Sequence, residues 1–251
     1  MKKNLFILIY GIILASTASA DMTRVEIGTG AWMQTSEGKA GYSDGGADGS
    51  YTSNESDNTK AYIWALIKHP LPVLPNLRLE YVSLEDEGLA SGKFKDFTIN
   101  AGVSASMSYS MRQYDIIPYY NILDNTAWTT LDLGFDIKVI DLSYDAAPSG
   151  VFAGYIGSDT IAIPLLYLRC RVEIPATDIG LEADIKYVTT GDSTVYDFRA
   201  KVDYTLGFMP LIQPAIEIGY RVQKIDIDEN SLDTKVKLKF SGVFTGLMLR
   251  F

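Results

Sequence analysis

Leu131-Asp132-Leu133-Gly134-Phe135-Asp136-Ile137-Lys138-Val139 puts an apolar side chain at every odd position and Asp, Gly, Asp and Lys at the even ones. Successive side chains of an extended strand point to opposite faces, so this period of two describes a strand with one apolar and one polar side. The pattern returns in Ile179-Gly180-Leu181-Glu182-Ala183-Asp184-Ile185-Lys186-Tyr187 and in Tyr196-Asp197-Phe198-Arg199-Ala200-Lys201-Val202-Asp203-Tyr204, where every second residue is charged. A helix would scatter Asp197, Arg199, Lys201 and Asp203 over different faces. Leu77, Leu79 and Tyr81 around Arg78 and Glu80, then Ile216 to Val222 and Val236 to Phe240, repeat the alternation. Several segments extend well past the ~5–6 residues of an ordinary sandwich strand. The pattern predicts an all-β fold, a transmembrane antiparallel up-and-down β-barrel with one face in lipid and the other in a polar lumen. A soluble barrel is the rival; it requires the face of Leu131, Leu133, Phe135, Ile137 and Val139 to turn inward.

Ten strands are expected, at 22–34, 59–68, 77–86, 106–123, 128–143, 160–173, 179–189, 194–206, 215–226 and 233–251, with eight or twelve as alternatives because 87–105 has room for a further hairpin. Connections after strands two, four, six and eight are short or proline-bearing, whereas those after strands one, three and five are longer and acidic or glycine-rich. Short periplasmic turns opposite longer external loops are the outer-membrane arrangement, and an even strand number puts both termini in the periplasm. Tyr120, Phe208 and Phe251 fall toward the periplasmic rim and Tyr81, Tyr187, Tyr196 and Tyr220 toward the external one. Two interfacial girdles account for that placement, as does the general preference of Tyr for strands.

Composition is undramatic, with 47% hydrophobic and 21% charged residues among 251. A barrel is expected to look this way, since its lumen-facing half dilutes the apolar half. The N-terminus reads as a cleaved leader spanning 1–20: Lys2 and Lys3, an apolar run from Leu5 to Leu14, then Ala18 and Ala20 in A-x-A positions. Residues 21–251 then form the barrel, and removing the two lysines takes the formal charge from −9 to −11. Such acidity argues against nucleic acid as a partner. No later run approaches the ~20 apolar residues of a membrane helix. With Cys170 as the one cysteine, no intramolecular disulfide forms.

The chain ends Val243-Phe244-Thr245-Gly246-Leu247-Met248-Leu249-Arg250-Phe251. A terminal Phe with Leu249, Leu247 and Val243 in phase resembles the C-terminal signature of bacterial outer-membrane barrels, which implies Phe251, Leu249 and Leu247 as the signal for the barrel-assembly machinery. This apolar phase differs from that of Val236, Leu238 and Phe240, so a bulge is expected near Ser241-Gly242. The stretch His69-Pro70-Leu71-Pro72-Val73-Leu74-Pro75-Asn76-Leu77-Arg78-Leu79-Glu80-Tyr81, with Tyr119-Tyr120-Asn121-Ile122-Leu123-Asp124, resembles a family of small proteobacterial outer-membrane barrels without an assigned activity. The resemblance implies a Gram-negative outer-membrane location and brings no catalytic residue.

Catalytic machinery is not expected. The single histidine, His69, falls in a periplasmic turn beside Pro70, away from the external rim. Paired carboxylates such as Asp132/Asp136 and Glu182/Asp184 sit among cations and read as ion-pair partners. One histidine and one cysteine cannot supply a usual zinc set. The first external loop, 36–58, holds Asp44, Asp48, Glu55 and Asp57 among glycines and serines without the spacing of a calcium loop; a mobile solvated loop is expected there. Neither cofactor nor metal is predicted, and Cys170 is read as facing lipid.

By phase, the lumen receives Arg24, Arg78, Lys138, Arg169, Arg171, Lys186, Arg199, Lys201, Arg221, Lys235, Lys237 and Lys239, against Glu26, Glu80, Asp115, Asp132, Asp136, Glu173, Glu182, Asp184, Asp197, Asp203 and Glu217. Ten strands filled by such side chains leave at most a narrow path, which excludes a wide porin. The net acidity is then expected mostly in the external loops, including Glu85, Asp86, Glu87, Asp226, Asp228 and Glu229, meeting divalent cations or cationic ligands at the lipopolysaccharide surface. The expected function is a non-enzymatic structural or narrow-pore component of the cell envelope. Alternatives are a surface adhesin or receptor using loop 36–58 and, third, an enzyme on envelope lipids.

Overall fold

The computed structural model describes residues 23–251 apart from 45–46, 72, 95, 101, 151, 208–211 and 230–233; side chains of 42–44, 47–48, 228–229 and 234–235 are also outside the description. The expected leader and Phe208 therefore lie outside the described residues, as do the side chains of Asp44, Asp48, Asp228, Glu229 and Lys235.

Among the described residues twelve strands form: β1 (Arg24–Asp44), β2 (Ala47–Ser53), β3 (Asp57–Lys68), β4 (Asn76–Lys93), β5 (Thr98–Ile99), β6 (Ala105–Thr126), β7 (Thr129–Ala146), β8 (Tyr155–Glu173), β9 (Ile179–Thr190), β10 (Ser193–Thr205), β11 (Gln213–Glu229) and β12 (Thr234–Arg250). Ten of them make the wall. Each wall strand pairs antiparallel with its neighbours, and β12 returns to β1 from Glu26↔Arg250 to Tyr42↔Thr234, closing the sheet. Closure pairs the wall strands on both sides through the apolar belt, which a sheet in hydrocarbon requires, while 155–165 of β8 pairs with β7 alone among the described residues. At the rim holding both chain ends, the Phe251 amide donates to the Val25 carbonyl at 2.9 Å.

The deciding stretch lies in β7 with Asp132, Asp136 and Lys138 fully buried inside and Leu133, Phe135 and Ile137 exposed outside, Phe135 by 62%. The outward belt continues through Leu79, Ile116, Leu166, Leu168, Leu181, Val202, Ile216, Ile218 and Leu247. That orientation is the transmembrane one, and it overturns the soluble rival.

The ten-strand expectation holds, and two others need correction. Residues 36–58 are mostly strand, not a loose loop: β1 runs on to Asp44 and pairs with β2, which also pairs with β4 at Ser50↔Ser91 to Ser53↔Gly88. The alternation simply continues past the membrane belt, where small polar residues obscure it. Residues 87–105 add no wall strand, because β4 absorbs the first of them and β5 pairs only with Gly92 and Lys93 in a separate small sheet. The bulge at Ser241-Gly242 is absent, and β12 stays in register with both neighbours along its whole length. Leu238 and Phe240 therefore point inward, in phase with Phe244, Met248 and Arg250, while Lys237 and Lys239 point outward.

That last correction has a general cause. On the side away from the chain ends, the inside becomes apolar and the outside charged. Leu84 is inward and Glu85 outward on β4; Ile140 is inward and Asp141 more exposed on β7; Ile225 is inward and Lys224 more exposed on β11. Phase is conserved through this change on β4, β7 and β11, and the chemistry of the two faces exchanges; the register of β6 against β7 shifts elsewhere, past Asn121 near the chain-end rim.

Candidate functional site

The lumen near the chain ends is the site the sequence predicts. Arg78, Glu80, Asp132, Asp136, Lys138, Glu182, Asp184, Lys186, Asp197, Arg199, Lys201, Asp203, Glu217 and Arg221 are all buried inside the barrel, brought together from β4, β7, β9, β10 and β11. Asp115, Arg169, Arg171 and Glu26 join them. Arg24 is only partly buried, at the chain-end rim, where it contacts Glu26 at 2.6 Å and Glu173 at 3.7 Å.

Three acids act as hubs. Glu80 accepts from Arg78 at 2.6 Å, Lys186 at 2.6 Å and Arg199 at 3.2 Å. Glu182 lies 2.7 Å from Arg169, 3.4 Å from both Arg78 and Arg171, and 3.5 Å from Lys201. Asp197 takes a two-pronged contact from Arg221 at 2.6 and 2.9 Å, and Lys138 at 3.3 Å. The remaining acids are paired more simply: Asp184 with Arg199 at 2.7 Å, Asp203 with Arg171 at 2.6 Å and Arg250 at 2.8 Å, Glu217 with Lys201 at 2.8 Å, and Asp132 with Arg169 at 2.6 Å.

Several of these contacts cross the barrel. In the ring order β1-β3-β4-β6-β7-β8-β9-β10-β11-β12, strand β4 stands opposite β9 and β10. Glu80 on β4 nevertheless meets Lys186 on β9 and Arg199 on β10 directly, so the side chains span the full width. A charge removed from water is costly unless matched by an opposite charge and hydrogen bonds. Dense mutual pairing is therefore what lets so many ions share a closed interior. Asp136 is the exception, since neither of its buried carboxylate oxygens has a hydrogen-bond partner among the described residues.

Sequence reasoning missed the aromatic part of this layer. Trp64 lies with the Arg78 guanidinium 4.8 Å and the Lys201 ammonium 4.6 Å from its ring centroid, and its Nε1 donates to Glu217 at 3.2 Å. Tyr62 donates to the same carboxylate at 2.7 Å, and Arg221 stacks over Trp32 at 4.9 Å. Large inward rings need small residues opposite: a Cβ at Gly28 would sit 2.4 Å from the Trp64 ring. Arg250 was also missed, although it alternates with Leu249 and Phe251.

Above the charged layer Gln113 and Gln223 bond to each other at 2.8 Å. Beyond them the interior holds Leu84, Met111, Ile140, Ile225, Leu238 and Phe240, then Tyr51 and Tyr109 edge to face at 5.5 Å. The one buried acid here among the described residues, Asp86, is not an external-loop acid. It accepts from Ser36 at 2.6 Å, Tyr51 at 2.7 Å and Ser53 at 3.0 Å, tying β1 and β2 to β4. Its neighbour Glu85 points away and pairs with Lys60 at 2.5 Å. Glu85, Asp86 and Glu87 thus do not form one cation-facing cluster.

The other singled-out residues have local roles. Both ring nitrogens of His69 lie within hydrogen-bonding distance of its own turn, Nε2 at 3.0 Å from the Pro75 carbonyl and Nδ1 accepting from the Leu71 amide at 3.2 Å. Cys170 is exposed on the outward face of β8. Leu247 and Leu249 are exposed on the outer wall, and Phe251 is half-buried at the rim.

No protein-family model and no curated protein sequence matches the chain. Among solved structures, the translocator domain of the autotransporter NalP from Neisseria meningitidis is similar at 13% identity, covering 100% of this chain and 96% of that one, with a TM-score of 0.42. The toluene transporter TodX of P. putida is similar at 11% identity, covering 95% and 91%, with a TM-score of 0.29. Pseudomonas aeruginosa OccK7 (OpdD) is similar at 9% identity, covering 90% and 99%, with a TM-score of 0.27.

Proposed function

We propose that this chain is a non-enzymatic outer-membrane barrel, plugged by its own side chains, that serves as a structural element of a Gram-negative envelope. The observation that carries this reading is the set of ion pairs joining β4 to β9 and β10 across the lumen. A side chain spanning the barrel bars solute as well as water-filled current, so the resting barrel is sealed. In this reading the chain-end rim faces the periplasm and the far rim the exterior. Phe251, Leu249 and Leu247 provide the assembly signal, and the outward belt meets outer-membrane lipids. Both ring nitrogens of His69 are engaged within its own turn, which favours a structural role for this residue.

Purified protein inserted into planar bilayers tests the sealed state. The wild type is expected to give no discrete conductance steps, whereas replacing Arg78 and Glu80 together by Ala should produce them. Stable steps from the wild type at low voltage would overturn the sealed reading in favour of a narrow pore.

A surface-receptor role draws support from the strands that continue past the membrane belt and carry a cluster of Phe94, Phe97, Phe152 and Tyr155 at the far end. Deleting 36–58 would not test it cleanly, because that segment holds the far part of β1 and all of β2. Replacing the 147–154 connection leaves the wall strands intact; loss of cell or matrix binding in that variant would support a receptor.

A further inference from the structure

The outer wall at the far rim carries a basic groove. Lys39 on β1, Lys224 on β11, and Lys237 and Lys239 on β12 line an open depression of about 310 Å³. It lies where the wall is interrupted between β2 and β3, with Thr52 and Ser53 on that flank. Two lateral rows build it. One runs Tyr187–Tyr196–Lys224–Lys239–Glu37, and the next toward the rim runs Thr194–Asp226–Lys237–Lys39–Thr52. Toward the chain ends, outward residues become Phe198, Val222, Tyr220, Val243 and Met33, so the lysines border the apolar belt.

The register sets like charges face to face. Lys39 is the direct cross-strand partner of Lys237, and Lys224 that of Lys239. Like charges directly opposite on one face destabilise a sheet pair. The nearby acids relieve this only in part. Asp226 is shared, at 3.0 Å from Lys224 and 3.6 Å from Lys237; Glu37 pairs with Lys239; Glu55 lines the flank. Lys237 remains 62% exposed despite its contact.

We propose that this groove binds the phosphate groups of an outer-leaflet glycolipid, with Lys39, Lys224, Lys237 and Lys239 as the phosphate-holding residues, Tyr187 and Tyr196 beside Lys224 in its lateral row, and the apolar belt below them at the acyl boundary. Tyrosines mark the membrane–water interface, so Lys224 and Lys239 in the row of Tyr187 and Tyr196, and Lys39 and Lys237 one row beyond, lie at headgroup height. A phosphate oxygen between two opposed lysines converts their repulsion into charge-assisted hydrogen bonds. The inference rests on the membrane orientation proposed above.

The test uses the mature protein folded in neutral detergent, offered bisphosphorylated lipid A, the same lipid with its phosphates removed, or phosphatidylglycerol, with bound lipid counted by native mass spectrometry. The bisphosphorylated lipid should be retained selectively. Lys39→Gln with Lys237→Gln should weaken retention roughly twenty-five-fold, about five-fold per lysine. Lys224→Gln with Lys239→Gln should do the same from the other row. Equal retention of dephosphorylated lipid A or of phosphatidylglycerol would overturn the proposal, as would unchanged retention in both double variants. A heat-dependent gel shift, measured in parallel, separates the two readings. Its absence from the wild type refutes the membrane barrel itself, whereas its presence in variants that still retain lipid refutes only the groove.

Discussion

Glu217 and Phe240 both point into the barrel from adjacent strands, and both are buried almost completely. Glu217 belongs to a layer of carboxylates, guanidiniums and ammoniums; Phe240 belongs to a layer that resembles the interior of a soluble β-protein. The difference follows from what lies outside each layer. Around Glu217 the outer face holds Ile216 and Ile218 and meets lipid, so the polar half of the alternation must go inside. Around Phe240 the outer face carries Lys239, Lys224 and Glu37, residues suited to water and headgroups, and the apolar half turns inward as in an aqueous sheet. A continuous strand thus changes its folding logic at the membrane border without changing register.

The comparison breaks most readily in the charged layer. Glu80→Ala leaves Arg78, Lys186 and Arg199 without a shared carboxylate, and should cost about 3–5 kcal/mol of stability, as for other buried pairs deprived of one partner. Urea unfolding of the protein in detergent micelles measures it; a loss below about 1 kcal/mol would mean that water already hydrates these ions. Phe240→Ala in the apolar layer should cost a comparable ~3–5 kcal/mol by leaving a cavity. There, unlike in the charged layer, Phe240→Leu should recover most of the stability, which thermal melts of the two variants would show.

Gly28→Val sharpens the packing side of the same contrast. The added side chain collides with Trp64, which is held between Arg78 and Lys201, and a cost of about 1–3 kcal/mol is expected. Tryptophan emission of the folded variant should shift at the same time. The smallest effect is expected at Asp136, whose carboxylate oxygens lack hydrogen-bond partners among the described residues. Asp136→Asn should change stability by less than about 1 kcal/mol or raise it, since no ion pair is lost while a desolvated charge is removed. A large destabilisation in a urea titration would assign Asp136 a partner that the fold does not reveal.

These two layers also differ in how openly the sequence displays them. Between Asp197 and Asp203 every second residue is charged, which no helix or two-sided polar strand reproduces, so wall, lumen face and ion-pair partners are all legible there. From Lys235 to Phe240 the alternation is just as regular, but its sign is inverted. Taking every apolar phase as lipid-facing forced a bulge at Ser241-Gly242 that the continuous pairing of β12 does not contain. Residues 36–53 hid their strand character for a related reason: Ser36 and Ser53 look like loop residues until Asp86 is seen bonding both. Inward Trp32 and Trp64 carry no positional signal of their own, because tryptophan suits either face of a barrel strand.

Both layers are set by which face meets lipid, and Cys170 reports on it directly because it is the one cysteine in the chain. It lies on the outer wall of β8, cross-strand from Leu131 and Ala183. The decisive measurement attaches a polarity-sensitive fluorophore to Cys170 in denaturant, folds the protein into vesicles, and compares quenching by brominated acyl chains with quenching by aqueous iodide. Strong quenching by the brominated lipid and little by iodide is the predicted result. Quenching by iodide alone would place this face in water and contradict the assignment of the charged residues to the lumen.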